Sequence, residues 1–88
     1  MKRTLTIQNE KGLHARAAAK LVALVEGFDA DAMVSREGER VGGTSIMGLL
    51  MLAAAKDTTI DVETQGPEAA ALLEAIDGLI RDRFGEGK

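Results

Sequence analysis

Two stretches of this sequence lay down as strands with one dry face and one wet face, and that property limits the fold more than any other. In "RTLTIQN", Leu5 and Ile7 fall on one side and Thr4, Thr6 and Gln8 on the other. In "DTTIDVETQG", Ile60 and Val62 alternate with Asp61 and Glu63, while Thr58, Thr59 and Thr64 favour extended backbone. A period of two with one polar face marks a strand buried on a single side. Helices must then cover one face of the sheet and leave the other in water.

The rest of the chain supplies those helices. From Ala15 to Glu26 the apolar positions Ala18, Leu21, Val22 and Val25 follow helical spacing, with Gly27 as a stop. "DADAMVSREGERVGG" reads as two short strands around Arg36-Glu37-Gly38-Glu39, a hairpin signal. Ser45 is a favoured N-cap residue and opens a short helix at Ile46. "PEAAALLEAIDGLIRDRF" puts Pro67 in a first turn and lines Leu72, Ile76, Leu79, Ile80 and Phe84 on one face. That spacing predicts a helix of about five turns. Residues 85–88, "GEGK", read as a frayed tail. The element order is βαββαβα. It predicts an α+β fold, a two-layer open sandwich with a four-stranded, mostly antiparallel sheet covered on one face by three helices. With no repeat, linker or low-complexity stretch, residues 1–88 are expected to form one domain.

Composition removes several functions. There is no cysteine, so disulfides, thiolate zinc sites and thiol nucleophiles are excluded. One histidine offers at most one imidazole, which argues against a metal centre. A net charge of -3, with no tryptophan or tyrosine, gives no basic face or stacking platform for nucleic acid. No apolar run approaches the ~20 residues of a membrane span, and "MKRTLTIQNE" lacks the apolar core of a signal peptide. A soluble, cytoplasmic, monomeric protein is expected, with no cofactor.

The single histidine, His14, lies at the mouth of the first helix. Helix N-termini carry unpartnered N–H groups and about half a positive charge, and they bind anions, phosphate above all. The same field disfavours imidazolium, and the neutral ring is the nucleophile. Arg16 adds a planar, permanently charged donor for phosphate oxygens. Lys20, one turn on, adds a weaker positive field. The small side chains of Ala15, Ala17, Ala18 and Ala19 leave the ring uncovered for a partner protein. No Walker-type loop and no serine or cysteine triad accompanies them. The domain reads as able to carry a group and unable to make one. At this level a merely solvated or capping His14 stays open.

"GLHARAAAKLV", followed by "SIMGLLMLAAAK" and "IDVETQG", resembles the HPr family, the histidine-containing phosphocarrier proteins of the bacterial phosphotransferase system. The resemblance covers roughly residues 3–84 and implies an open-faced β-sandwich of βαββαβα order. It implies that His14 is phosphorylated by enzyme I, with phosphoenolpyruvate as the original donor. The group would sit on ring Nδ1 and pass to a IIA domain, with Arg16 assisting. It also matches Ser45 to a serine that some members have phosphorylated by an HPr kinase/phosphorylase. One departure is clear: Ala17 stands where the family usually has proline, which implies a less rigid helix start without loss of the chemistry. "VEGFDADAMV" and "SIMGLLML" are similar to the nitrogen-related branch, which leaves the downstream acceptor open.

From Ile46 to Leu52 every residue but Gly48 is apolar. A short helix on a small sheet buries only part of its surface, so some of Ile46, Met47, Leu50 and Met51 should face outward as a partner-docking patch, together with Ala19 and Lys20. Packing of all four into the core is the competing reading. Ser45 reads first as a cap, and a phosphate there would act on partners by hydrating the patch beside it. Two further readings of the whole chain stay open. One is a regulatory small-ligand-binding α+β module in which His14 is incidental. The other is a regulator of the same fold that works only through Ser45.

Overall fold

A computed structural model describes residues 1–88. The elements are β1 (Lys2–Thr6), α1 (Ala15–Glu26), β2 (Asp31–Arg36), β3 (Glu39–Gly42), α2 (Ile46–Met51), β4 (Thr59–Gln65) and α3 (Ala69–Arg81), closed by a 3-10 turn at Arg83–Gly85. The strands lie in the order β1-β4-β2-β3, and every neighbouring pair is antiparallel. The βαββαβα open-faced sandwich is therefore the observed architecture.

Alternation sets the register. Leu5 stands opposite Ile60 and Val34 opposite Val62, and all four are buried on the helix-covered face. A slip of one residue would turn Ile60 and Val62 to water. Ala17, Ala18, Leu21 and Val25 of α1 complete the core with Leu49 of α2 and Leu72, Leu73, Ile76 and Ile80 of α3. The β2–β3 hairpin turns on Glu37 and Gly38, both left-handed (φ 49° and 85°), the combination that a two-residue hairpin of native twist requires. Gly27 ends α1 in a right-handed conformation, its N–H bonded to the Leu24 carbonyl at 3.1 Å. No helix is long and apolar enough to cross a membrane.

The structure corrects the sequence reading at the end of the chain. The last helix has 13 residues and is shorter than the predicted five turns. Pro67 lies in the turn before it. There the Glu68 N–H bonds to the Asp29 carbonyl at 3.0 Å, and its Oε1 accepts from the Asp29 N–H at 2.7 Å. At the other end the helix stops at Arg81. Arg83 and Phe84 then turn left-handed, and Phe84 reaches the core from the 3-10 turn. Residues 85–88 fold back over the mouth of α1, where the Lys88 carbonyl accepts from the Glu10 N–H at 3.0 Å.

Candidate functional site

His14 is the N-cap residue of α1. Its backbone is extended (φ -81°, ψ -178°), and its carbonyl accepts the first helical bond from Ala18 N–H at 2.8 Å. The imidazole makes no capping bond, so it is free for other contacts. The N–H groups of Ala15, Arg16 and Ala17 begin the helix without an acceptor there.

The preceding loop is clamped. Asn9 is fully buried and its Nδ2 donates to the Gly12 carbonyl at 2.8 Å. Gly12 N–H returns to the Asn9 carbonyl at 3.1 Å, and Leu13 N–H donates to the Ala54 carbonyl at 2.9 Å. Gly12 has φ +66°, and a Cβ there would lie 2.4 Å from the Ala54 oxygen. Only glycine allows that approach, which fixes where the next two residues point.

His14 looks into a polar cleft of about 430 Å³ with no apolar side chain in its lining. Lys11, Arg16 and Lys20 supply cations, and Glu10 and Glu86 supply carboxylates. The His14 side chain is 27% exposed. Its Nε2 meets Glu86 Oε2, while Nδ1 has no hydrogen-bond partner and is not sealed from solvent. Glu86 Oε1 accepts from Asn9 Nδ2 at 2.9 Å. The hydrogen bond from His14, then that from Asn9, outweighs burial and holds the Glu86 carboxyl below the usual carboxylate range. Arg16 is exposed and free of ion pairs. Lys20 does more than add a distant field, because its Nζ donates to the Phe84 carbonyl at 2.5 Å.

A phosphoryl acceptor needs an unpaired ring nitrogen, unpaired N–H donors and cations at one mouth, and all three meet here. The family model described as "PTS HPr component phosphorylation site" matches residues 1–82. The chain belongs to the HPr family of phosphocarrier proteins. It is 46% identical over 88 residues to the phosphocarrier protein HPr of Cupriavidus necator, covering 100% of this chain and 99% of that one. It is 40% identical over 87 residues to the phosphocarrier protein NPr of Escherichia coli K12, covering 98% of this chain and 97% of that one. A solved HPr from Thermoanaerobacter tengcongensis matches with a TM-score of 0.93 at 30% identity, covering 98% of this chain and 97% of that one.

The HPr fold also places the second group of sequence-predicted residues. Ser45 caps α2, its Oγ accepting from Gly48 N–H at 3.0 Å, and the residue is exposed. Gly48 lets α2 sit close on β3, since a Cβ there would come 2.9 Å from Val41 Cβ and 3.0 Å from Ser45 Oγ. Leu49 and Leu52 are buried, while Ile46, Met47 and Met51 are 40%, 71% and 73% exposed. Leu50 is half-buried against the core, so it belongs to the patch only at its edge. Ala19 is exposed on α1, which packs beside α2. Sequence reasoning missed Asn9, Gly12 and Glu86. Gly12 had a local signal in its place just before the helix, whereas Glu86 had none.

Proposed function

We propose that His14 is the residue that takes and releases the phosphoryl group, through Nδ1. The carrying observation is the free Nδ1 at the N-terminus of α1, in a cleft that Arg16, Lys20 and Lys11 make positive. The Nδ1 lone pair attacks phosphorus on the phosphorylated enzyme I. The bond from phosphorus to the donor nitrogen breaks, and its electron pair stays with the donor. The ring keeps its Nε2 proton and becomes cationic. A IIA domain then takes the group by the reverse sequence. Arg16 pairs with phosphoryl oxygens, and the unpartnered N–H groups of the first turn face the same charge. The protein has no turnover of its own and works in the cytoplasm. One chain carries the whole site, so a second copy is not required.

Ile46, Met47 and Met51, with Ala19 and Lys20 beside them, form the surface on which partners dock in turn. A transient transfer complex of this kind is small and modestly apolar. Ser45 stands at the edge of that surface, where a phosphate would disrupt docking and leave the fold intact.

The test is enzyme I-dependent phosphorylation of two variants. His14→Ala should accept no phosphoryl group while keeping native chemical shifts elsewhere. Arg16→Ala should accept it at least about tenfold more slowly, the loss of one charge-assisted contact. An acid-labile phosphate on His14→Ala would overturn the assignment.

A further inference from the structure

We propose that Glu86 is a positioning residue for His14, holding the ring proton on Nε2 and balancing the positive charge that the ring gains when Nδ1 is phosphorylated. The inference rests on the carrier reading and deepens it.

A neutral imidazole has one N–H, and the group bonded to one nitrogen decides what the other can do. Here a carboxylate oxygen sits on Nε2. That contact selects the Nε2–H tautomer and leaves the lone pair on Nδ1, the nitrogen without a hydrogen-bond partner. The arrangement has the logic of the carboxylate that orients a catalytic histidine: the acid takes no proton and stabilises the imidazolium that forms. Bonds balance without it. The Nδ1–P bond forms and the donor–P bond breaks, while the proton stays on Nε2 throughout. Glu86 contributes one negative charge beside the ring at the moment the ring turns positive.

The placement is built at several points. The Glu86 side chain is only 14% exposed, unusual for a glutamate. Its other oxygen is bonded to Asn9, which is fully buried and clamps the loop before His14. One carboxylate thus joins the ring to the loop that aims it. Behind Glu86, three consecutive left-handed residues, Arg83, Phe84 and Gly85 (φ 54°, 53° and 75°), turn the chain out of α3 and back over α1. Two of those are not glycine, and such backbone persists only where the surroundings fix it. What fixes it is visible: Phe84 is fully buried, and its carbonyl holds Lys20 Nζ. Lys88 is tied to Glu10 on the far side.

A carboxylate near a phosphoryl group also repels it, and the geometry limits that cost. Nε2 and Nδ1 lie on different sides of the ring, and the charged groups sharing the cleft are Lys11, Arg16, Lys20 and Lys88 against Glu10 and Glu86. With the N-terminus of α1 added, the balance at the cleft stays positive with Glu86 in place.

The experiment compares the full chain with Glu86→Gln as substrates of enzyme I charged by phosphoenolpyruvate, and records the imidazole proton and nitrogen resonances of both. Gln keeps an oxygen for Asn9 and loses the charge. The proposal expects kcat to fall about tenfold, with KM for the carrier unchanged. It also expects a slowly exchanging downfield Nε2–H proton in the unaltered protein that is lost in the variant. Equal kcat, a change in KM alone, or faster phosphorylation of the variant would overturn it, the last by making the segment a cover. A missing Nε2–H resonance in the unaltered protein would overturn it without touching the carrier reading. Failure of the unaltered protein to take phosphate would sink both.

Discussion

At the scale of single residues, the site depends on backbone that only certain residues tolerate. Gly12 is the sharpest case. Its left-handed φ and the 2.4 Å approach to the Ala54 oxygen leave no room for a Cβ. Gly12→Ala should destabilise the protein by about 2 kcal/mol or more, combining left-handed strain with a displaced neighbour. Urea unfolding would show it as a lower midpoint with unchanged slope, and a variant as stable as the original would refute the clamp. The places of His14 and Arg16 were legible because a helix mouth is a local property. Ala17, in place of the family's proline, is fully buried in the first turn, and its N–H is one of those without an acceptor there. Proline at that position would remove no helical bond, and for the same reason alanine costs the site none of its contacts. Glu86 was illegible for the opposite reason. Nothing within ten residues of it marks a partner far earlier in the chain.

At the scale of elements, α2 does two jobs with six residues. Its inner side carries Leu49 into the core, and its outer side leaves Ile46, Met47 and Met51 in water. Ser45 joins the two by capping the helix at the rim of the patch. Ser45→Asp keeps a good cap and adds a charge beside that apolar surface. It should leave stability within about 0.5 kcal/mol and raise KM for the carrier in the enzyme I reaction several-fold. Unchanged kinetics would make Ser45 a cap only. The hairpin and β4 were read correctly because period and turn chemistry act over a few residues. The end of α3 was misread because Ile80 and Phe84 keep helical spacing after the backbone has left the helix. Burial of Phe84 is satisfied from a 3-10 turn as well as from another helical turn, and side-chain spacing alone does not separate the two.

At the scale of the molecule, two carboxylates tie distant segments together. Asp77 on α3 accepts from Arg3 on β1 and from Arg81, both at 2.7 Å. Burial pushes the Asp77 carboxyl up, and the hydrogen bonds from Arg3 and Arg81 outweigh that and hold it below its ordinary value. Glu86 is held low in the same sense by His14. The unfolded chain therefore binds protons more readily at both positions. The stability they contribute is complete above the ordinary carboxylate range of about 4 and is lost as pH falls through the lower folded values. Asp77→Asn should lose stability at neutral pH and show a weaker acid dependence between about pH 7 and about pH 3. Denaturant titrations at the two pH values would show this, and an unchanged acid dependence would remove Asp77 from the account. The layered architecture was readable from one-faced strands. The site was readable only in part, because it is assembled from the Asn9–Leu13 loop, the mouth of α1 and the returning segment after Phe84.

The central claim is that this chain carries phosphate on one nitrogen, and intact mass tests it most directly. The protein is incubated with phosphoenolpyruvate and a competent enzyme I, then split between an acid and an alkaline chase. The account predicts a gain of one phosphoryl group, lost in acid, kept in alkali and mapped to His14. No gain, or an acid-stable phosphate on Ser45 alone, would contradict it.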